Sequence, residues 1–349
     1  MKPSASQSEP CDVCGAVDAL ASWFEVSLCG IWNRSIHRCT ACGFRQIRPR
    51  LSSVELAWMY SDAYFDSAAA FGYGDYARET QRRAREAYFL ARRLKYTAPS
   101  RRVLEVGCAL GFLLAPLARE GWDVRGVDAS AFAAYYARTR FNLSVTCGTL
   151  KDARFPDNSF DLVIQKDLLE HVSHPRQHLL ETVRIMRPGA ELWLITPNGE
   201  ANLRPLEALR LTVGDGDLGR LPLLDQGHLS FFAESHLLRL FDQCGLECVS
   251  ARTIGVRRGL RALGYLPGQR VFARLGPRTT APTPTLDLRP DYDRFEPLSA
   301  RIDAEVARRH RRIRTWMPYY YYRRLLKRLD TLPAWSGLGY DFEFWLRKT

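Results

Sequence analysis

The sequence predicts an α/β fold built on an open, mainly parallel sheet with helices on both faces. Three observations carry that expectation. Residues 101–130 spell a strand, a glycine turn, a helix and a second strand ending in Asp128. Phe160 to Ile164 and Glu191 to Thr196 are further apolar runs of the length that buried strands have. A helix lies between these two runs, and Pro188 with Gly189 breaks it.

Each element follows from local chemistry. Val103 to Val106 is an apolar run short enough for a buried parallel strand. Gly107 to Gly111 makes a tight turn whose missing side chains let backbone N–H groups approach a ligand. Leu113 to Arg119 continues as a helix, and Val124 to Val127 forms the next strand. Asp128, seventeen residues beyond Gly111, can accept hydrogen bonds from both ribose hydroxyls of a nucleoside cofactor. A glycine cluster alone says little. Strand, loop, helix, strand and acid in that order point to such a cofactor.

The loop's composition narrows the cofactor. A dinucleotide site favours GxGxxG around a pyrophosphate, whereas this loop opens with Glu105 and reads EVGCALG. A carboxylate there repels a pyrophosphate and suits a cationic ligand with an ammonium group, such as S-adenosylmethionine. From about Ala98 to Gly255 the chain resembles the class I S-adenosylmethionine-dependent methyltransferases. Their first motif is an acid, any residue, then GxGxG, and Ala109 stands here at the middle glycine. LKDARFPDNSFDLVI, LLEHV, RIMRPGAELWLITPN and HLSFF follow in the family's order.

The resemblance implies a Rossmann-like, seven-stranded class I sheet with helices on both faces. It also implies a cofactor site made by Glu105, Gly107, Cys108, Gly111, Phe112, Asp128, Ala129, Asp152, Ala153 and Gln165. Within that set Glu105 serves the methionine end, Gly107 and Gly111 the loop, Asp128 the ribose, and Asp152 with Ala153 the adenine amine. Gln165 and Lys166 end the fourth strand, on the edge where open parallel sheets place their ligands.

Cys11, Cys14, Cys39 and Cys42 form two CxxC pairs separated by twenty-four residues, each followed by a glycine, Gly15 or Gly43. Two such knuckles can place four thiolates around one structural zinc ion, a reading favoured over paired disulfides or a redox CxxC. Four protein ligands close the metal's shell, so it is expected to hold the fold and do no chemistry. Cys29 and His37 are spare ligand candidates; Cys108, Cys147, Cys244 and Cys248 read as buried free thiols.

The expected organisation is a tail over 1–10, a zinc ribbon over 11–50, a helical cap over 51–97 and a cofactor-binding catalytic domain over 98–254. A basic, mainly helical insertion follows over 255–337, and the last strand of the catalytic sheet over 338–349. The cap carries an aromatic loop with Tyr64, Tyr73 and Tyr76, able to close over a ligand or simply to pack. TTAPTPT, Thr279 to Thr285, reads as a linker. The final strand, Tyr340 to Arg347, is expected to return to the sheet as the hairpin partner that the family has there.

Nineteen Lys or Arg against seven Asp or Glu lie between Ala251 and Asp330, an excess equal to the whole chain's +12. The run RRHRRIRTWMPYYYYRRLLKRL interleaves Arg with Trp316 and Tyr319 to Tyr322. Such a run can bind phosphate groups or single-stranded nucleic acid, or be a solvated or oligomerising face. The polar N-terminal tail is unlike a secretory signal, and no stretch is apolar for eighteen residues. Reduced thiols, zinc and a small-molecule cofactor together favour the cytoplasm.

A base is needed for an oxygen or carbon nucleophile, and a histidine suits that task. His171 and His228 lie where the sheet presents its ligands. The ribbon followed by this sheet is similar to the deoxysugar C-methyltransferase subgroup, whose histidines match these two positions. Gly227 stands where that subgroup has Glu, and Asp225 roughly where it has Tyr. His174, His178 and His236 read as surface or packing residues. The expected activity is methyl transfer to a hydroxyl or activated carbon of a small or carbohydrate-like, phosphate-bearing or sugar-like metabolite in a biosynthetic pathway. The alternatives are an RNA methyltransferase docking through ribbon and insertion, and an inactive cofactor-binding partner subunit. The sequence favours a small molecule over nucleic acid and leaves a homodimer open.

Overall fold

The computed structural model describes residues 9–66, 76–97, 100–213, 220–224, 227–262, 265, 274–277, 292–313 and 330–349. Tyr73, Asp225, the Thr279–Thr285 linker, Trp316 and Tyr319 to Tyr322 lie outside them. The chain opens with β1 (Leu20–Leu28), β2 (Trp32–Cys39), β3 (Arg45–Arg48), α1 (Ser53–Met59) and α2 (Glu79–Thr97). It continues through β4 (Arg102–Val106), α3 (Leu114–Arg119), β5 (Asp123–Asp128), α4 (Ala131–Phe141), β6 (Ser144–Cys147) and β7 (Phe160–Lys166). Next come α5 (Pro175–Ile185), β8 (Met186–Pro197), α6 (Gly199–Val213), β9 (Arg220–Leu224), β10 (Ser230–Phe231), α7 (Glu234–Gln243) and β11 (Leu246–Ile254). The rest is α8 (Val256–Ala262), β12 (Arg274–Pro277), α9 (Tyr292–Ile313), β13 (Thr331–Pro333) and β14 (Asp341–Lys348).

The larger sheet has the order β13-β11-β14-β8-β7-β4-β5-β6. Its β6-β5-β4-β7-β8 portion is parallel. Alternate side chains explain why both faces are covered. Leu104, Val163, Leu192 and Leu194 point into one core with Leu179 of α5 and Leu237, Leu240 and Phe241 of α7. Val103, Leu162, Ile164, Trp193 and Ile195 point into the other, against Ala87, Leu90 and Leu94 of α2 and Leu114 and Leu117 of α3. β14 enters between β8 and β11 antiparallel to both, so the last strand does return to the sheet. Trp345 sits opposite Trp193 with the rings stacked 5.5 Å apart. Two boundaries depart from the sequence expectation. α5 ends at Ile185, and Pro188 and Gly189 lie inside β8 instead of breaking a helix.

The smaller sheet, β10-β3-β2-β1-β9-β12, begins as the antiparallel meander of the ribbon. Strands from beyond the catalytic sheet's start complete it: β10 pairs with β3 and β9 runs parallel to β1. The ribbon also shares the main core, where Phe44 stacks on Phe232 at 5.2 Å. In the insertion, α9 packs Phe295, Leu298 and Ile302 against Phe132 and Tyr136. Its Asp303 accepts from the Tyr136 hydroxyl at 2.6 Å and from Arg140 Nε at 2.8 Å. No helix among the described residues is long and apolar enough to cross a membrane.

Candidate active site and metal centre

The four ribbon cysteines converge as their spacing predicts. Cys11 and Cys42 Sγ are 3.8 Å apart, Cys14 and Cys39 Sγ 3.6 Å, and all four sulfurs lie within 4.8 Å of one another. A tetrahedron with Zn–S bonds of about 2.3 Å has edges of about 3.8 Å, so this donor set fits zinc and is far too open for disulfides. The knuckles are built by backbone bonds: the N–H of Gly15 donates to the Cys11 carbonyl and that of Gly43 to the Cys39 carbonyl, both at 2.8 Å. His236, which sequence left without a partner, joins this centre to the catalytic sheet. Its Nδ1 accepts from the Ala233 N–H at 3.1 Å, which leaves Nε2–H to donate to the Cys42 carbonyl at 3.0 Å.

At the carboxyl edge of β4, β5 and β7 opens a cavity of about 1540 Å3. Gly107, Asp128, Ala129 and Asp152 line one part of it, and His171 and His228 another. The loop after β4 is tight because its backbone is left-handed at Gly107 and Gly111 (φ +73° and +76°). A Cβ at Gly111 would sit 2.6 Å from Leu143 Cδ1, so the glycine lets α4 and its following turn close on the loop. Ala109, also at positive φ (46°), donates its N–H to Asp128 Oδ2 at 2.7 Å, while Ser130 N–H reaches Oδ1 at 2.8 Å. Burial pushes the Asp128 carboxyl up to about 6. Asp152 accepts from both the N–H and the hydroxyl of Thr149, which lowers its pKa and holds the turn against the cavity.

Six of the sequence-derived cofactor residues, Glu105 among them, stand behind the wall. Gln165 is fully buried and its Nε2 donates to Thr182 Oγ1 at 2.8 Å, because β7 points this side chain towards α5. Cys108 packs beneath the loop against Gly126, Phe112 joins an aromatic group with Tyr136 and Phe141, and Ala153 packs on the main core. Gly111 acts through helix packing, as above. Glu105 is buried at 3% exposure, and its Oε2 has no hydrogen-bond partner. Burial raises its pKa to about 8, against the pull of Arg83.

The histidine end is equally specific. His171 Nδ1 lies 3.0 Å from the Gly227 carbonyl, which can only accept, so Nδ1 carries the proton and Nε2 is bare. Nε2 is 3.7 Å from Glu170 Oε1, an oxygen with no hydrogen bond, while Thr196 Oγ1 donates to Glu170 Oε2 at 2.9 Å. The His228 ring stands 5.0 Å from that of His171, and Tyr60 contacts the latter at 6.0 Å. Burial pushes His171 down to about 4 and His228 well below the ordinary histidine range. Both rings are therefore neutral near pH 7, the state a proton acceptor needs.

Comparison with known proteins now bears on this geometry. Residues 76–251, just over half of the chain, match the family model described as a methyltransferase domain. The chain belongs to that methyltransferase family. A Mycolicibacterium smegmatis protein named Probable S-adenosylmethionine-dependent methyltransferase is 29% identical over 171 residues, 48% of this chain and 59% of the relative. The match thus spans less than two thirds of that relative's length. A Coxiella burnetii ubiquinone biosynthesis O-methyltransferase is 29% identical over 175 residues, 44% of this chain and 73% of that protein. Among solved structures, an S-adenosylmethionine-dependent methyltransferase from Archaeoglobus fulgidus aligns with a TM-score of 0.42 at 16% identity, covering 78% of this chain and 97% of that one.

The fold also brings forward Arg83, which sequence reasoning passed over, and gives a partner to Lys166, which the sequence placed only at the end of its strand. Arg83 of α2 lines the cavity, is 7% exposed, and has Nη1 without a hydrogen bond, 3.6 Å from Glu86 Oε2. Lys166 contacts the Glu86 carboxylate and lies 4.7 Å from the Trp193 ring centre. Burial lowers this lysine to about 8. The available signal was the pairing of charges on α2 with the carboxyl end of β7, which only the fold brings together.

Proposed function

We propose that this methyltransferase moves the methyl group of S-adenosylmethionine to a hydroxyl, or to an activated carbon, of a small metabolite. The observation that carries the reading is one cavity with Gly107 and Asp128 on one part of its wall and two neutral histidines on another. Asp128 keeps acceptor capacity for the ribose beyond the two N–H groups it already holds, and Asp152 with Ala129 borders the adenine. Arg83 Nη1 and Glu105 Oε2, two buried atoms without a hydrogen bond, suit the carboxylate and the ammonium of the cofactor's amino-acid end, the ammonium drawing the Glu105 carboxyl, raised to about 8 by burial, into its ionised form. The donated methyl sits on a sulfonium, so alignment supplies much of the rate. His228, whose ring nitrogens have no hydrogen-bond partner among the described residues, takes the acceptor's proton. His171 stands beside it with a fixed tautomer.

The relatives named for ubiquinone biosynthesis are O-methyltransferases, which supports an oxygen acceptor ahead of carbon. A carbohydrate-like acceptor is compatible with this cavity, and zinc in the Cys11, Cys14, Cys39 and Cys42 centre is structural in this account. The test is transfer from methyl-labelled S-adenosylmethionine by the zinc-loaded protein to separate small-metabolite, lipid, RNA and protein fractions. Label in the small-metabolite fraction is expected; label confined to RNA or protein overturns the reading.

A further inference from the structure

The segment that carries His228 is held by the ribbon, bond by bond. Leu229, the next residue, donates its N–H to the Glu170 carbonyl at 2.7 Å and accepts from the Ile47 N–H at 2.8 Å. Ser230 and Phe231 then pair with Gln46 and Arg45 of β3. Phe232 stacks on Phe44, two residues beyond Cys42. His236 closes the series: it is buried at 8% exposure, accepts on one ring edge from the start of α7, and donates on the other to the Cys42 carbonyl. Its ring also lies edge-on to Phe44, 5.6 Å between centres. A buried imidazole with both nitrogens engaged is costly to replace by an apolar side chain, because two backbone groups lose their partners. The metal end of the ribbon and the strand that presents His228 are thus one mechanical unit.

We infer that His236 is a positioning residue for methyl transfer. With the Cys42 carbonyl it forms a latch through which the metal-bound ribbon holds residues 227–232 in register and His228 at the cavity. The effect on turnover rests on the assignment of His228 as base; the mechanical link does not. His236→Gln can reproduce both bonds, its carbonyl oxygen accepting from Ala233 and its amide donating to Cys42. His236→Leu can reproduce neither.

The experiment compares wild type, both variants and His228→Ala as full-length, zinc-loaded protein. Its readouts are zinc content, S-adenosylhomocysteine affinity, amide hydrogen exchange over residues 229–231, and transfer of label to the accepting fraction. His236→Leu is expected to speed exchange there by about tenfold or more while zinc stays bound and cofactor-product affinity stays within about twofold. Transfer is expected to fall by about ten- to a hundredfold, the scale of a displaced catalytic group, and His236→Gln to recover most of it. Unchanged exchange in His236→Leu overturns the latch. Faster exchange with full transfer, or a Gln variant as impaired as Leu, overturns the positioning role. Full transfer by His228→Ala sinks the assignment of the base and leaves the exchange result to judge the latch alone.

Discussion

Replacing Asp128 by Ala separates what this carboxylate does for the fold from what it does for the cofactor. A carboxylate offers about four acceptor positions, and two are used by the N–H groups of Ala109 and Ser130 at 2.7 and 2.8 Å. Both residues are buried, Ala109 at 8% and Ser130 at 1% exposure. Deleting the acceptor strands two buried donors at about 1–3 kcal/mol each, so the ligand-free protein should lose about 2–6 kcal/mol of stability. The remaining acceptor positions are those the account gives to the ribose. Each charge-assisted bond lost there costs about 1.5–3 kcal/mol, or roughly ten- to a hundredfold in affinity. Urea denaturation of the ligand-free protein measures the first effect and calorimetric titration with S-adenosylmethionine the second. With Asp128 pushed up to about 6, wild-type affinity should also weaken as pH falls through 6, because the protonated carboxyl gives up acceptor capacity. Asp128→Asn should lose the part of that weakening centred on 6. Unchanged affinity in Asp128→Ala, with the stability loss present, would refute the ribose assignment; unchanged stability would refute the reasoning from stranded donors.

Gly111→Ala should destabilise the protein by about 2–4 kcal/mol in urea denaturation, since it adds a side chain at φ +76° and drives Cβ to 2.6 Å from Leu143; a smaller loss would mean α4 yields easily. Cys39→Ser should take bound zinc from one per chain towards zero by elemental analysis and lower the melting temperature, whereas full zinc content would remove Cys39 from the ligand set. His178 is held by burial at about 4, below its ordinary 6.5. The unfolded chain therefore binds this proton first, so the contribution is complete above pH 6.5 and is lost as pH falls towards 4. Buried acids such as Glu105 shift the opposite way, so the test is the difference between wild type and His178→Gln. That difference should change by about 1.4 kcal/mol per pH unit within the window, and a constant difference contradicts it.

Strand, loop and acid were legible from Arg102 to Asp128 because a buried parallel strand needs an unbroken apolar run and a glycine turn has few substitutes. The Cys11–Cys42 spacing was equally plain, since two knuckles and four sulfurs are set by local geometry. The position of β14 was legible through its alternation and the family order. What stayed hidden depends on partners distant in sequence. Nothing local in Arg220–Leu224 or Arg274–Pro277 announces pairing with the ribbon sheet, and His236 is an ordinary helix residue until the fold brings Cys42 to it. That the Gln165 side chain faces the core was not legible, because strand alternation sends successive residues to opposite faces, and a shift of one residue decides between cavity and core. Arg83 was passed over among the arginines of α2, whose inward face is fixed by Ala87, Leu90 and Leu94 packing on the sheet.

The most direct measurement is a crystal structure of the full chain with S-adenosylhomocysteine. The account predicts the ribose hydroxyls within hydrogen-bond distance of Asp128, the amino-acid end between Arg83 and Glu105, and the sulfur facing the part of the cavity that holds His228. A nucleoside bound away from Asp128, or a sulfur turned from the histidines, would contradict it.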